Sequence, residues 1–547
     1  MVKEWSKLIE VYALKNAVEH EGKAEESKVI AGLFHEGLNK EGVSEIINEV
    51  KAEVRKVNSL SIEEQKKEYE KLSKLASKRE ERVGLQELPE ISKNMVFRIA
   101  PEPSKYNHIG HAFTFLINYL YARKYKGKCK LRFEDTNPEK VSKEYVDAMK
   151  EDIKYLGIKV DSIRFVSDDM PKLYKYSEQL IKMGKAFMCF CRQEKIKKLR
   201  GEGRECSCRQ HDVKKNMDEW KKFLEGRYME GEATLRLKGN MASNNYVMRD
   251  SVIFRAVKAK HYKKKYNIWP MYDFYNPIED SLMGVTHILR SNEFEVRVEL
   301  HNYIRDLLNL KKQVIIQYGR VNVIGATTKG REIRDLVAGK GYMGWDDPRL
   351  VTLLALRRRG ILKEAFYELV EQIGISNHQV NLSFDMIAAI NRKILDKQAD
   401  RYSFVENPVK LEIKNFPDIK EIKVKIHPDK KETRLVRIGE IFISEKDYEA
   451  NKGKEARLMH LFNIKLRDDN KAEFTSLENK SIARINWVSG FVNARIMMPD
   501  ATRITGIAEL AVKKLKLGSI IQFERFGFAR FDKLNEAGEY EFWFAHN

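Results

Sequence analysis

Helical periodicity runs along the chain from Trp5 to about Lys78. Apolar residues recur at three- and four-residue spacing from Trp5 to Ala13 and from Val43 to Val57, which places them on one helix face. Ser61 and Glu64 have the spacing of a capping box, in which two side chains close a helix N-terminus. We therefore predict a helical N-terminal region, followed by a polar linker from Lys78 to Ser92.

Beyond residue 92, short apolar runs alternate with helical patterns. The first run, Met95 to Phe97, is followed by two prolines and then by a helical pattern from Gly110 to about Arg123. The next elements are predicted at Lys130–Glu134, Lys143–Tyr155 and Val160–Val166, with a helix ending near Met183. This alternation is typical of a doubly wound parallel sheet, which binds ligands at the carboxyl ends of its strands.

The last third of the chain has a different pattern. Two helical stretches, Leu350–Arg359 and Ala365–Ile373, are followed after Pro408 by short alternating runs such as Val409–Ile413 and Ile482–Val488. Turn residues separate these runs, as they do in antiparallel barrels. We predict a helical junction and then one or more β-barrels.

Composition adds a prediction about partners. The 547 residues include 101 Lys and Arg against 80 Asp and Glu, a formal net charge of +21 with a pI near 9.4. This excess indicates a polyanionic partner, although it does not separate tRNA from DNA, an acidic membrane or a merely solvated basic surface. No apolar run approaches the ~20 residues that span a bilayer, and the charged N-terminus lacks a signal-peptide core. We expect a cytoplasmic protein without a membrane segment.

Four of the five cysteines form two close pairs, Cys189 with Cys191 and Cys206 with Cys208, separated by fourteen residues. Four thiolates spaced in this way can complete a tetrahedron around a structural Zn²⁺. Free or disulfide-bonded thiols are the alternative, which an intracellular location disfavours.

The loop before Gly110 carries candidate catalytic residues. His108 and His111 flank a predicted helix start, where unpaired N–H groups and the positive end of the helix dipole favour an anion. The glycine between them allows close approach of a polyphosphate. As the simpler alternative, both histidines are ordinary polar residues at a helix start.

Two segments carry a resemblance to a known family. The run from Arg98 to Ser104, together with His108–His111, resembles the first signature of class I aminoacyl-tRNA synthetases. The similarity is greatest to the glutamyl and glutaminyl branch in its archaeal and eukaryotic form. It implies that His108, Gly110 and His111 hold ATP, with Mg²⁺, and stabilise the charge that develops as an aminoacyl-adenylate forms.

The resemblance also implies an amino-acid pocket. Glu134 lies in a segment similar to the strand that binds the substrate's ammonium group, and Tyr272 and Asn276 lie where the family lines the pocket. By this resemblance, Arg290 is expected to select the substrate, because a guanidinium pairs bidentately with a second carboxylate, whereas a glutamine amide would present a misplaced NH₂. The alternative is that Arg290 is an ordinary partner in a surface ion pair. The glutamyl branch has arginine there and the glutaminyl branch generally does not; Arg98 is its expected companion.

The second signature of the family departs from its usual form. Where relatives have a loop similar to Lys-Met-Ser-Lys-Ser, the chain has the segment 325–334, with Gly330 or Glu332 at the position of the second lysine. Lys329 and Arg331 flank that position, and either could reach a triphosphate. The first signature differs as well, because Lys105 replaces a glycine.

The resemblance extends over nearly the whole chain and implies its domain organisation. We expect a multidomain α/β protein with a Rossmann-type class I catalytic domain. The expected segments are a helical N-terminal extension (1–90), the first half of the catalytic domain (91–184), an acceptor-binding insertion with the zinc site (185–250), the second catalytic half (251–325), the signature loop with a helical stem-contact junction (326–400) and β-barrel anticodon-binding domains (401–547).

Related synthetases place zinc in this insertion, often with histidine where Cys208 stands, so His211 competes with Cys208 as fourth ligand. The implied activity is ligation of L-glutamate to tRNA(Glu) by a monomer; tRNA(Gln) stays open as a second acceptor. Two alternatives also stay open. One is glutaminyl specificity, and the other is a catalytically weakened tRNA-binding relative, which the altered signatures would explain.

Overall fold

A computed structural model describes residues 5–20, 22–38, 41–75 and 84–547, in two units that divide between residues 83 and 84. The N-terminal unit is helical, as its periodicity predicts. Its helices are α1 (Trp5–Glu19), α2 (Glu26–His35), α3 (Val43–Asn58) and α4 (Ile62–Leu72), followed by a 3₁₀ turn (Ser73–Leu75).

The capping box of α4 is confirmed. Ser61 Oγ accepts a hydrogen bond from the Glu64 N–H, and Glu64 Oε2 accepts one from the Ser61 N–H at 2.9 Å. The predicted linker runs from Lys78 to Ser92, and its residues 78–83 lie outside the described part of the chain. Residues 84–92 form bends and segments without regular secondary structure.

Strands and helices alternate after residue 95, as the sequence pattern predicts. The elements are β1 (Val96–Ile99), α5 (Ile109–Lys124), β2 (Lys128–Phe133), α6 (Lys143–Tyr155), β3 (Ser162–Phe165) and α7 (Met170–Lys182). Strands β1, β2 and β3 are parallel neighbours in that order.

An antiparallel sheet then interrupts this alternation. It contains β4 (Ala186–Cys189), β5 (Thr234–Leu237), β6 (Val252–Ala256) and β7 (Ile268–Pro270) in sequential order, with α8 (Gln193–Gly201) and α9 (Val213–Leu224) between its first two strands. Trp220 and Trp269 are fully buried in its core, where Trp220 contacts Phe254 edge to face. In the chain, this antiparallel sheet lies between the two halves of the parallel sheet that begins with β1, β2 and β3.

The chain then returns to the parallel sheet through α10 (Tyr272–Leu282), β8 (His287–Ser291), α11 (Val298–Leu307) and β9 (Val314–Tyr318). The Thr286 N–H donates to Val96 O at 2.9 Å, which brings β8 alongside β1, and β8 pairs with β9 in parallel. The resulting order, β3-β2-β1-β8-β9, is that of a doubly wound sheet, so the predicted Rossmann-type architecture is confirmed.

A helical segment follows the parallel sheet. It comprises β10 (Val321–Val323), α12 (Gly330–Ala338), α13 (Leu353–Arg359), α14 (Lys363–Ile373), β11 (Val380–Leu382) and α15 (Phe384–Leu395). Helix α13 starts three residues later than its apolar pattern suggests, because Thr352 Oγ1 accepts from the Ala355 N–H and caps the helix.

The C-terminal region is built from strands, as predicted. They are β12 (Arg401–Tyr402), β13 (Phe404–Glu406), β14 (Pro408–Lys414), β15 (Glu421–Lys425), β16 (Thr433–Arg437), β17 (Ile441–Ser444), β18 (Glu455–Leu458), β19 (Asn463–Leu466), β20 (Lys471–Ser476), β21 (Ala483–Ile485), β22 (Phe491–Met497), β23 (Arg503–Glu509), β24 (Ile520–Phe523), β25 (Gly527–Leu534) and β26 (Tyr540–His546), with α16 (Glu445–Asn451) after β17.

Thirteen of these strands form two nearly closed, barrel-like sheets, and β15 and β16 form a separate antiparallel pair. The seven-stranded sheet has β12 and β13 as its two edges, and because these strands are consecutive in the chain, its edges must meet. The six-stranded sheet runs from β17 to β21, and a bridge between Phe442 and Val488 joins its two ends. Over the described part of the chain, no helix is both long enough and apolar enough to cross a membrane.

Candidate active site

His108 and His111 cap the start of α5 together. His108 is the N-cap, its Nδ1 accepts from the Gly110 N–H at 3.1 Å, and His111 Nδ1 accepts from the His108 N–H at 3.1 Å. The ring centroids are 3.9 Å apart. Both histidines and Gly110 are therefore brought together at a helix N-terminus beyond the carboxyl end of β1, where this class of sheet binds its ligands.

These hydrogen bonds determine the protonation of both rings. An Nδ1 atom that accepts a backbone N–H carries no proton, so a neutral ring holds its proton on Nε2. Burial, helped by Lys105, lowers the pKa of His108 to about 3. Burial also lowers the pKa of His111 well below its ordinary value, with further contributions from His108 and Lys105. Near neutral pH, two neutral imidazoles thus offer Nε2–H donors rather than positive charges.

The predicted second-signature loop lies beside this helix start. Lys105 Nζ donates to Thr328 O at 3.1 Å, and Arg334 Nη1 donates to Ser104 O at 3.3 Å. Lys329 precedes α12 as its N-cap, and its exposed ammonium group pairs with Glu332 at 2.8 Å. The contacts between loop and first signature therefore involve Lys105, Thr328 and Arg334, which sequence reasoning did not assign.

Arg331 is also exposed, in the first turn of α12. The assignment of phosphate-binding roles to Lys329 and Arg331 stays a prediction.

A cluster of buried charged residues from β1, β2, β8 and α10 forms a second part of the site. Arg98 Nε and Arg132 Nη1 donate to Asp280 Oδ1 at 3.1 and 2.7 Å, and Arg132 Nη2 donates to Glu134 Oε1 at 2.8 Å. Burial raises the pKa of Asp280, but Arg132, Arg98 and Arg305 outweigh this effect and hold it well below the usual range. Asp280 is therefore a permanent anion that fixes the surrounding guanidinium groups.

Glu134 and Asn276 lie together in this cluster, because Asn276 Nδ2 donates to Glu134 Oε1 at 3.2 Å. Tyr275 OH donates to Glu134 Oε2 at 3.4 Å. Tyr272 packs against the ring of His301, with a centroid separation of 5.6 Å. The predicted pocket residues thus come from β2 and α10, which meet across the sheet.

Arg290 differs from the other arginines of the cluster. It is 4% exposed, and its hydrogen-bond partners include the His301 ring at 3.5 Å, the Phe294 carbonyl at 3.4 Å and the Tyr272 side chain. Among the described residues, no carboxylate forms an ion pair with it. Burial lowers the pKa of Arg290, which is the direction expected for a desolvated cation that lacks an anion.

Sequence reasoning missed Arg132, Asp280 and Arg305 in this cluster. Arg132 shares a strand face with Glu134 two residues later, and this spacing was the one available signal. Asp280 contacts Arg132 across 148 residues of sequence, so local patterns do not reveal the pair. Including Arg98 and Arg290, four buried guanidinium groups lie around the carboxylates of Glu134 and Asp280.

The four predicted zinc ligands converge in the antiparallel domain. The sulfur atoms of Cys189, Cys191, Cys206 and Cys208 all lie within 4.8 Å of one another, and Cys189 and Cys206 are 3.8 Å apart. Sulfur atoms at that separation fit a tetrahedral Zn²⁺ with bonds of ~2.3 Å. Arg236 Nη1 donates to Cys206 Sγ at 3.3 Å, which favours the thiolate form. His211 is not part of this group, so Cys208 is the better fourth ligand.

Comparison with known proteins identifies the family. The family model "tRNA synthetases class I (E and Q), catalytic domain" matches residues 93–397. Two models of the corresponding anti-codon binding domain match residues 399–481 and 463–532. The chain belongs to the class I tRNA synthetases of the E and Q group. The region of the two nearly closed sheets is therefore its anticodon-binding region.

Two curated glutamate–tRNA ligases match this chain over nearly their full length. The glutamate–tRNA ligase of Pyrococcus furiosus is 37% identical, over 97% of this chain and 98% of that one. The glutamate–tRNA ligase of Methanocaldococcus jannaschii is 38% identical, over 96% and 97%. A solved glutamate–tRNA synthetase from Elizabethkingia anophelis aligns with a TM-score of 0.40 at 18% identity, covering 56% of this chain and 72% of that one.

Proposed function

We propose that this synthetase attaches L-glutamate to the 3′ end of tRNA(Glu) in two steps. Glutamate and ATP first give glutamyl-adenylate and pyrophosphate, and a ribose hydroxyl of the terminal nucleotide then takes the glutamyl group and releases AMP. The function of the archaeal relatives supports this reaction.

The observation that carries the choice of amino acid is the unpaired charge of Arg290. A buried cation without an anion is costly, and the side-chain carboxylate of glutamate would supply that anion with bidentate geometry. Arg98 lies next to it and already shares Asp280. Glutamine would leave the charge uncompensated, which disfavours the glutaminyl alternative.

The rest of the pocket suits the remaining groups of glutamate. Glu134 would bind the ammonium group of glutamate, with Asn276 and Tyr275 holding its carboxylate in place. Four guanidinium groups lie around Glu134 and Asp280, while Glu279, a third buried carboxylate nearby, lies 3.3 Å from Arg164. The positive charge that remains favours a substrate with two carboxylates and one ammonium group.

ATP would bind at the start of α5, where the Nε2–H groups of His108 and His111 can donate to an incoming phosphate. Lys329 or Arg331 would add positive charge from the loop, and Mg²⁺ would neutralise part of the phosphate charge. No protein nucleophile is needed, because catalysis comes from positioning the carboxylate and stabilising developing charge.

The remaining assignments follow from this activity. The basic composition and the anticodon-binding domains support tRNA as the polyanionic partner, in the cytoplasm, where tRNA is used. The Cys189–Cys208 cluster would hold a structural Zn²⁺, and the enzyme would act as a monomer. Whether the enzyme charges tRNA(Gln) as well as tRNA(Glu) is tested by measuring glutamate attachment to each purified tRNA separately.

The test of the reaction is formation of AMP from labelled ATP in the presence of Mg²⁺, with glutamate and tRNA added together or singly. We expect AMP to accumulate only when both are present, in step with acylated tRNA. If no AMP forms under any combination, the chain is a tRNA-binding relative without activity, and the proposed reaction is wrong.

A further inference from the structure

Lys105 lies between the two signature segments. Its ammonium group donates to the Thr328 carbonyl of the loop at 3.1 Å. It is also close enough to His108 and His111 for its charge to lower the pKa of both rings. A cation thus lies where the proposed ATP site meets the loop.

The side chain of Lys105 crosses the start of α12. A Cβ atom added to Gly330, the first residue of that helix, would lie 3.1 Å from both Cβ and Cδ of Lys105. Gly330 therefore leaves room for the lysine stem, and the ammonium group lies between the N-termini of α5 and α12. Both helix starts carry partial positive charge.

The charges around Lys105 leave it available to an anion. Glu102 and Arg334 are the charged groups that face it, whereas the neighbouring His108 and His111 are neutral near pH 7. Among the described residues, no carboxylate forms an ion pair with Lys105. Glu102, the facing carboxylate, accepts a hydrogen bond from Ser104 Oγ at 3.2 Å. The hydrogen bond of Lys105 goes to a neutral carbonyl, which a phosphate oxygen can replace with a stronger, charge-assisted bond.

We propose that Lys105 binds the polyphosphate of ATP, leaving Thr328 as the nucleotide enters. This inference rests on the proposed function and adds an ATP-binding residue to it. It also gives a physical reason for two unusual residues of the chain, since Lys105 stands where the family has glycine and Gly330 creates the space that its stem occupies. Lys329 differs in being exposed and already paired with Glu332.

Binding measurements on the full-length protein test this role. Affinities for Mg·ATP, pyrophosphate and adenosine are measured by calorimetry for the wild type, Lys105→Met and Lys105→Arg. Lys124→Met is the matched control, because Lys124 also donates to backbone carbonyls, at the opposite end of α5. Removing one charge-assisted hydrogen bond should weaken ATP and pyrophosphate binding about tenfold.

The expected pattern is loss of ATP and pyrophosphate affinity in Lys105→Met, recovery in Lys105→Arg and no change in Lys124→Met, with adenosine affinity constant throughout. A parallel loss of adenosine affinity would mean that Lys105 only braces the loop and would overturn the inference, as would unchanged ATP affinity. If ATP behaves as expected but glutamate is not transferred to tRNA, the proposed reaction fails while the role of Lys105 stands.

Discussion

Arg290 Nη1 lies 3.5 Å from His301 Nδ1, so the imidazole is the hydrogen-bond acceptor for a buried guanidinium. On its other side, His301 Nε2 lies 3.3 Å from Asp273 Oδ1, and Asp273 is also paired with Arg297. Burial lowers the pKa of His301 to about 4, so the ring is neutral near pH 7. A chain of hydrogen bonds therefore orients Arg290 without neutralising its charge.

Substituting His301 should disturb glutamate binding without touching ATP. His301→Phe removes the acceptor of Arg290 and the donor to Asp273, while it keeps an aromatic ring of similar shape. We expect KM for glutamate to rise about tenfold, the scale of one hydrogen bond to a charged group, with KM for ATP unchanged. Steady-state charging kinetics check this, and equal changes in both KM values would indicate a general loss of structure instead.

Arg290 itself should be more sensitive. Arg290→Ala is expected to lower kcat/KM for glutamate by a factor equivalent to at least ~2 kcal/mol, the scale for removing one partner of a buried charge pair. Arg290→Lys keeps the charge but loses the bidentate geometry, so its loss should be intermediate. Unchanged kinetics with glutamate in Arg290→Ala would exclude this arginine as the specificity residue.

The stability of the protein should depend on Asp152, a buried carboxyl group that accepts from Asn107 Nδ2 at 2.9 Å. Burial raises the pKa of Asp152 to about 7 from an ordinary value of 3.8. The folded state therefore binds the extra proton, and this contribution is full below pH 3.8 and is lost as pH rises through about 7.

Asp152→Asn removes that dependence while keeping an acceptor for Asn107. From pH 4 to pH 7 the wild type should lose this contribution to its free energy of unfolding, whereas the variant should not. The free energy of unfolding of the variant minus that of the wild type should therefore increase up to about pH 7 and then level off. Denaturant titrations at several pH values measure it. A difference that stays constant across this range would mean that Asp152 does not titrate as described.

The zinc site yields a prediction about stability rather than chemistry. Cys191→Ser removes one of four thiolates, so the purified variant should hold less than one equivalent of zinc and unfold at a lower temperature. Elemental analysis and thermal unfolding measure the two effects. A chelator should destabilise the wild type and have little further effect on the variant, whereas a chelator-insensitive wild type without bound zinc would contradict the assignment.

Much of the fold is readable from local patterns, because periodicity and capping depend on residues close in sequence. The N-terminal helices, the Ser61–Glu64 capping box and the strand–helix alternation around β1 and α5 are of this kind. Closure of the C-terminal sheets is not, because it depends on pairing residues far apart, such as Phe442 with Val488. Sequence patterns indicated barrels but not their strand order.

The site shows the same division. His108, Glu134 and Arg290 are predicted as site residues because they lie in short runs of recognisable sequence, and their roles stay predictions. Arg132 and Asp280 were missed, since their contact joins β2 to the end of α10. The place of Lys105 against Thr328 depends on how two loops meet, which neither loop's sequence determines alone.

The most direct test of the account is charging of total tRNA by the wild-type protein with labelled glutamate and, separately, labelled glutamine, in the presence of ATP and Mg²⁺. The charge of Arg290 predicts that labelled glutamate is attached to tRNA and that labelled glutamine gives only background. Charging of separated acceptors then distinguishes tRNA(Glu) from tRNA(Gln). Efficient attachment of glutamine would contradict the account, and so would attachment of neither amino acid.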